Sequence, residues 1–304
     1  MALMIVHHPG YTIDLPASHP FPMDKFRVLR QQLGHQPLAT PIEWVTPQPV
    51  GIEALARVHT RSYLNALLHG ELDYAAQRRS GFVWSPALVE RVRLETGGTL
   101  LTLEAALASG LACNSAGGTH HAHADAASGY CLINDLAVAA AHALAQGWVE
   151  RVLIVDCDVH QGDGTARLFT GVPDVFTFSM HAARNFPARK AKSDLDVALP
   201  NGMDDAAYLA MLASYLPGLL AAYQPDVVLY DAGVDVHRDD RLGYLALSDD
   251  GLYQRDAYVL ACCRSADIPV AAVIGGGYDR DIEVLAARHA LLHRAAADVL
   301  ERTG

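Results

Sequence analysis

Apolar residues in this chain fall into two kinds of run. Short runs rich in β-branched or aromatic residues occur at Val152–Asp156, Val175–Ser179, Val227–Asp231 and Val270–Ile274, with weaker ones at Ile5–His8 and Leu111–Asn114. Runs that are apolar without alternation predict strands buried on both faces. Longer stretches with helix punctuation lie between them. Pro86–Ser109 ends at Gly110, Leu132–Gln146 is Ala-rich and ends at Gly147, and Asp204–Tyr223 opens on acidic residues that suit the helix dipole. Ser248–Ala266 begins with Ser-Asp-Asp, a ready N-cap, and Asp279–Glu301 closes the chain. Strands alternating with helices predict βαβ units, a mainly parallel central sheet and helices on both faces, which is a three-layer α/β/α fold. No repeat, low-complexity tract or linker breaks the pattern, so one domain over residues 1–304 is expected.

Composition narrows the class. The chain is 51% hydrophobic and 19% charged, as in a compact enzyme and unlike a disordered chain. Its net charge of −11 repels phosphate backbones, so no direct nucleic acid partner is expected, and cationic ligands are drawn in. The five cysteines (Cys113, Cys131, Cys157, Cys262 and Cys263) are odd in number and form no CxxC pair. That fits neither a disulfide framework nor a thiolate zinc site, and predicts reduced thiols in the cytoplasm. Met1–His8 lacks a basic leader, and the apolar stretch Leu132–Val149 carries Asn134, Asp135, His142 and Gln146. Neither a signal peptide nor a membrane partner is expected, and no oligomeric state is assigned.

In folds of this class ligands sit beyond the carboxyl ends of the strands. Asp156, Asp158 and His160 follow the run at Val152; Ser179 and His181 follow that at Val175; Asp231 and Asp235 follow that at Val227; Gly275-Gly276-Gly277-Tyr278 follows that at Val270. On extended chain Asp156, Asp158 and His160 share a face. Carboxylates so close repel unless a cation lies between them, and oxygen and nitrogen ligands suit zinc, iron or manganese. A polar strand end capped by Asp163 is the plainer reading; three carboxylates and an imidazole within eight residues argue against it. Gly117-Gly118-Thr119-His120-His121-Ala122-His123 sets tandem imidazoles after a glycine turn, a setting for proton transfer. A His-rich surface loop is the alternative, and for His123 it stays open. Asp231 or Asp235 alone reads as a cap or turn; their place on the common sheet edge singles them out. The triple glycine lets backbone approach a ligand closely but lacks the Lys-Ser/Thr of a phosphate loop. Taken alone, Tyr278 reads as packing against the last helix.

Together, in this order and spacing, these motifs resemble the zinc-dependent histone deacetylase family of the arginase–deacetylase superfamily. The sequence looks most like the class IV branch and bacterial histone deacetylase-like amidohydrolases. His59-Thr60-Arg61-Ser62-Tyr63-Leu64, Glu95-Thr96-Gly97-Gly98-Thr99 and Asp240-Arg241-Leu242-Gly243 support the resemblance, which runs from about His19 to the last helix. It implies the arginase–deacetylase fold and a cytoplasmic, metal-dependent amidohydrolase that cleaves the amide of N-acyl-lysine in proteins or peptides. By motif position it implies Asp158, His160 and Asp235 as ligands of zinc, with ferrous iron as the alternative metal. His120 and His121 match the paired active-site histidines, oriented by Asp156 and Asp163; His121 is the proposed base, and the division of labour between the two stays open. Tyr278 matches the tyrosine on the scissile carbonyl, and Gly129, Tyr130 and Phe186 match the channel walls around an acyl-lysine stem. A structural potassium ion is implied at Asp156 and Ser179, with backbone of Asp158, His160 and Met180.

The sequence departs from the family pattern at Gln161, where many members have a second histidine, and at Tyr130, where many have phenylalanine. The segment between His181 and Asn201, with Arg184, Arg189, Lys190 and Lys192, matches no substrate signature. Three other readings stand beside the lysine deacylase. Acetylpolyamine or other small-molecule N-acyl amide hydrolysis uses the same chemistry and suits the acidic charge. A two-manganese ureohydrolase needs acids that the spacing of His160, Asp163, Asp231 and Asp235 does not supply. A non-enzymatic binding protein on the same scaffold would not need the full ligand, histidine and tyrosine set.

Overall fold

The structure, a computed structural model, describes residues 2–35 and 37–303. Eight strands form one sheet: β1 Leu3–Val6, β2 Ile42–Val45, β3 Leu111–Asn114, β4 Val152–Asp156, β5 Val175–Ala182, β6 Leu195–Leu199, β7 Val227–Asp231 and β8 Val270–Val273. Their order is β2-β1-β3-β8-β7-β4-β5-β6, and every pairing is parallel. The helices are α1 Lys25–His35, α2 Ile52–Leu55, α3 Arg61–His69, α4 Tyr74–Ser80, α5 Pro86–Ser109, α6 Asp135–Ala145, α7 Asp163–Leu168, α8 Asp205–Tyr223, α9 Asp249–Ser265 and α10 Ile282–Thr303.

Alternation along the strands divides the core. Val152, Ile154, Val227, Leu229, Ala271 and Val273 pack with α6 and the C-terminal half of α5. Their neighbours Leu153, Val155, Val228, Tyr230, Val270 and Ala272 pack with α8, α9 and α10. Successive side chains point to opposite faces, so strands apolar throughout need a helical layer on each side. The three-layer α/β/α architecture follows.

The four strong strand runs coincide with β4, β5, β7 and β8, which are adjacent in the sheet. Several boundaries move. β5 continues to Ala182 because Met180, His181 and Ala182 pair with Val197, Ala198 and Leu199 of β6. β8 stops at Val273, as Gly275 turns the chain at φ +61°. α6 starts at Asp135 because Asn134 is its N-cap, accepting from Ala137 N–H. The first strand is Leu3–Val6, in place of Ile5–His8. Among the described residues, the helix that meets the length and composition of a membrane span is Asp205–Tyr223 (mean hydropathy 1.4), not the 132–149 stretch. It packs on α9 in the outer layer, with Tyr208, Leu212 and Leu216 buried.

Arg255 of α9 ties this frame together beneath the carboxyl ends of the central strands. It is 0% exposed and donates to the carbonyls of Cys157, Ala232 and Gly233 at 3.2, 3.1 and 2.6 Å while pairing with Asp256 at 2.9 Å. Arg255→Met leaves Asp256 buried without its counter-ion and is expected to cost about 3–5 kcal/mol. Chemical denaturation checks this, and an unchanged midpoint would remove Arg255 from the frame.

Candidate active site

Five consecutive strands, β3, β8, β7, β4 and β5, deliver their following loops to one place. Asp158, His160 and Asp235 each offer a buried ligand atom there, all within 4.8 Å of one another. His160 Nδ1 lies 3.0 Å from Asp158 Oδ1 and 3.0 Å from Asp235 Oδ2. The other oxygens are engaged: Asp158 Oδ2 accepts from Gly276 N–H at 2.8 Å and Asp235 Oδ1 from Val159 N–H at 2.9 Å. Asp235 Oδ2 is buried with no hydrogen-bond partner. Burial and then Asp158 push the Asp235 carboxyl up to about 7. Burial opposes charge on His160 too, yet the Asp158 and Asp235 carboxylates beside its Nδ1 raise it to about 10. Without a cation this cluster holds protons; a divalent ion would satisfy the same atoms.

The tandem histidines stand beside it. His121 Nδ1 meets Asp163 Oδ1 at 2.7 Å, His120 Nδ1 meets Asp156 Oδ2 at 2.9 Å, and the two Nε2 atoms are 3.2 Å apart. Burial and the neighbouring His120 lower His121 to about 3. Burial would lower His120 as well, but Asp156, Asp158 and Asp231 outweigh it and hold that imidazole well above the usual range. One proton pattern fits both shifts. His121 is neutral, with Nδ1–H on Asp163 and Nε2 turned toward His120 Nε2, while the carboxylates around His120 favour its charged form. Asp231, a possible cap by sequence, caps nothing. It is 0% exposed, neither oxygen has a hydrogen bond among the described residues, and it lies 3.7 Å from His120 Nδ1. His123 is no surface ornament, since its Nε2 reaches Asp163 Oδ2 at 3.4 Å.

Tyr278 is half-buried, its ring 6.3 Å from that of His160 and 5.9 Å from that of Tyr130. Asp240 Oδ2 accepts from Tyr278 N–H at 2.7 Å and fixes the turn. Gly276 precedes it for a steric reason: a Cβ there would sit 2.2 Å from Asp235 Oδ2 and 2.5 Å from Asp158 Oδ2. Gly129 and Tyr130 adopt φ of +52° and +64° in succession. This turn brings Gly129 against His121 and Phe186, whose rings meet edge to face at 4.8 Å. The three channel residues expected from the sequence are thus adjacent. Asp156 and Ser179 are register partners, with Asp156 engaged by His120 and by Asp158 N–H, and Ser179 Oγ 3.0 Å from His181 Nδ1. A separate groove of about 810 Å³, lined by Leu220, Gln224 and Ile268 among others, lies where β7 and β8 begin and holds none of these residues.

The pattern of the histone deacetylase domain matches residues 19–293. The chain belongs to the histone deacetylase family. An uncharacterized protein of Picosynechococcus sp. is 50% identical, covering 98% of this chain and 100% of that one. A probable deacetylase of Methanothermobacter thermautotrophicus is 27% identical over 91% of this chain and 86% of its own. The crystal structure of the HDA15 HD domain superposes with a TM-score of 0.80 at 22% identity, covering 98% of this chain and 94% of that one, and shares the fold.

Several residues that shape the site of this histone deacetylase family member escaped the motif reading. Asp135 accepts from Gly118 N–H and Thr119 N–H, at 3.1 and 2.7 Å, and so sets the turn before His120. Lys25, fully buried, donates to Gly275 O at 3.1 Å and is lowered to about 8 chiefly by burial. With Arg91, Glu95 and Phe21 it surrounds a cavity of about 30 Å³ behind Tyr278. The signal for Asp135 was only an acid inside an apolar stretch, and Lys25, next to Asp24, gave none that says what it faces.

Proposed function

We propose that this protein is a zinc-dependent hydrolase of N-acylated amines whose substrate is an acyl-lysine side chain in a protein or peptide. The observation that carries this reading is the convergence of Asp158, His160 and Asp235 beside the neutral His121 and under Tyr278. The unpartnered Asp235 Oδ2 and the two-carboxylate, one-imidazole donor set fit zinc, and ferrous iron shares the preference. When bound there, the metal would polarise the scissile carbonyl and lower the pKa of water.

The chain's own residues do the rest. His121 Nε2, with Nδ1–H held by Asp163, accepts a proton from the attacking water and returns it to the departing amine. His120, charged and held by Asp156, supplies positive potential without giving up its proton first. The Tyr278 hydroxyl, kept protonated because burial, Asp235 and Asp158 hold it well above the usual range, donates to the carbonyl oxygen as negative charge develops. Gly129, Tyr130 and Phe186 enclose the aliphatic stem and exclude water. A panel of acetyl-lysine, longer acyl-lysine and acetylpolyamine substrates, run on protein of known metal content, tests the reading. No turnover of any acyl-lysine peptide by the zinc-loaded protein would overturn it. The net charge of −11 favours a polyamine as the second reading, and the same panel separates the two.

The protons on His160 and Asp235 compete with the metal. Apparent affinity should therefore weaken as pH falls, by roughly tenfold per unit for each proton displaced. His160, raised to about 10, contributes throughout the neutral range, and Asp235, at about 7, adds its share below that. Dialysis against a chelator is expected to strip zinc at pH 5.5 far more readily than at pH 8; equal retention would contradict the assignment.

A further inference from the structure

The chain as a whole is strongly acidic, yet the groove beside the proposed channel is lined by two arginines. A groove of about 430 Å³ opens on the outer side of Gly129, Tyr130 and Phe186, and its other wall is the end of α4 with Arg78 and Arg79. No carboxylate is among its lining residues. Arg184 and Arg189 flank Phe186 in sequence, and Arg241 is close enough to Tyr130 to act on its hydroxyl. Arg78, Arg79, Arg184, Arg189, Lys192 and Arg241 are all exposed, and none forms an ion pair among the described residues.

The wall is held in shape before any ligand arrives. Gln161 accepts from Ala191 N–H at 2.7 Å and donates to Ala191 O at 3.0 Å, pinning the loop that carries Arg189 and Lys192. Asn185 bridges to Leu242 O and Tyr244 N–H at 2.5 and 3.0 Å, tying the Phe186 loop to the segment that carries Arg241. Lys190 folds back on the carbonyls of Asn185 and Pro187. Free cations on a fixed frame, beside the mouth through which the acylated side chain enters, form a complementary surface for anions on the same substrate.

We infer that the groove between Arg78–Arg79 and Tyr130–Phe186 binds carboxylate side chains flanking the acylated lysine, so that the protein selects acyl-lysine in acidic peptide sequence. This rests on the acyl-lysine reading above and names its sequence context. A space of about 430 Å³ accepts one or two side chains, which fits a peptide flank and not a nucleic acid duplex.

Three acetyl-lysine peptides differing only in glutamate, glycine or lysine on both sides of the acetyl-lysine provide the test. At low salt kcat/KM should rank glutamate over glycine over lysine, with the extremes separated by roughly tenfold, mainly in KM. The separation should shrink in high salt. Arg78→Gln with Arg79→Gln should flatten the ranking, and Arg78→Glu with Arg79→Glu should invert it. Each variant is read as the ratio between peptides on one enzyme, so a general loss of folded protein cancels. Equal kcat/KM for the three peptides, or a glutamate preference that survives both double substitutions, would overturn the inference. Absence of turnover on all three by zinc-loaded protein would instead count against the hydrolase reading. The groove is then judged by fluorescence anisotropy of the same labelled peptides, where equal affinities would overturn the inference.

Discussion

Asp235→Ala is expected to give a folded protein that holds no stoichiometric zinc and turns over no acylated amine. Asp235 Oδ2 faces His160 Nδ1 at 3.0 Å and makes no hydrogen bond among the described residues. Without it, two ligands are left where a catalytic zinc site needs three. The alanine also strips Val159 N–H of its acceptor, a penalty of about 1–3 kcal/mol that a thermal melt would show. Asp235→Asn separates the two effects, because an amide oxygen can still accept from Val159 while lacking the charge. Metal analysis and activity on both variants check the claim. One zinc per chain retained in both would remove Asp235 from the ligand set and leave the proposed chemistry without its centre.

Tyr278→Phe is expected to keep its zinc and its fold while kcat drops by roughly two to three orders of magnitude, or about 2.7–4 kcal/mol of barrier. Only the hydroxyl is removed. The turn that carries the ring stays in place because Asp240 holds the backbone N–H of Tyr278 and Gly276 N–H bonds Asp158. The loss should fall on kcat more than on KM, since the donor acts where charge develops in the transition state. A variant as fast as the parent would return Tyr278 to the packing role that the sequence alone favoured.

The centre of the sheet was readable because β4, β5, β7 and β8 are buried on both faces, and such strands appear as unbroken apolar runs. The edge strands were not. Ile42–Val45 and Leu195–Leu199 carry Glu43 and Asp196, and mix exposed with covered positions over four or five residues. That is too short for alternation to stand out. Helices α1 to α4 and α7 were missed because most are brief and take their stability from tertiary packing. Asp158, His160 and Asp235, named from motifs, lie together beside His121 and Tyr278. The roles of Asp135, Lys25 and Arg255, and of Asp240 within its quoted motif, could not be read, because each acts through a partner distant in the chain, such as Asp240 on Tyr278 N–H.

By itself the sequence determined the layer architecture, the strands that form the middle of the sheet and the set of polar groups placed at their carboxyl ends. Periodicity and local chemistry are properties of neighbours along the chain, so they survive in a linear reading. Tertiary structure decided what depends on distance. It set which oxygen of Asp235 makes no hydrogen bond, why the surroundings favour a proton on His120 and disfavour one on His121, and where Arg78 and Arg79 of a chain of net charge −11 meet Gly129, Tyr130 and Phe186. Electrostatic interaction and desolvation vary with separation in space and with burial, and neither quantity exists until the chain has folded.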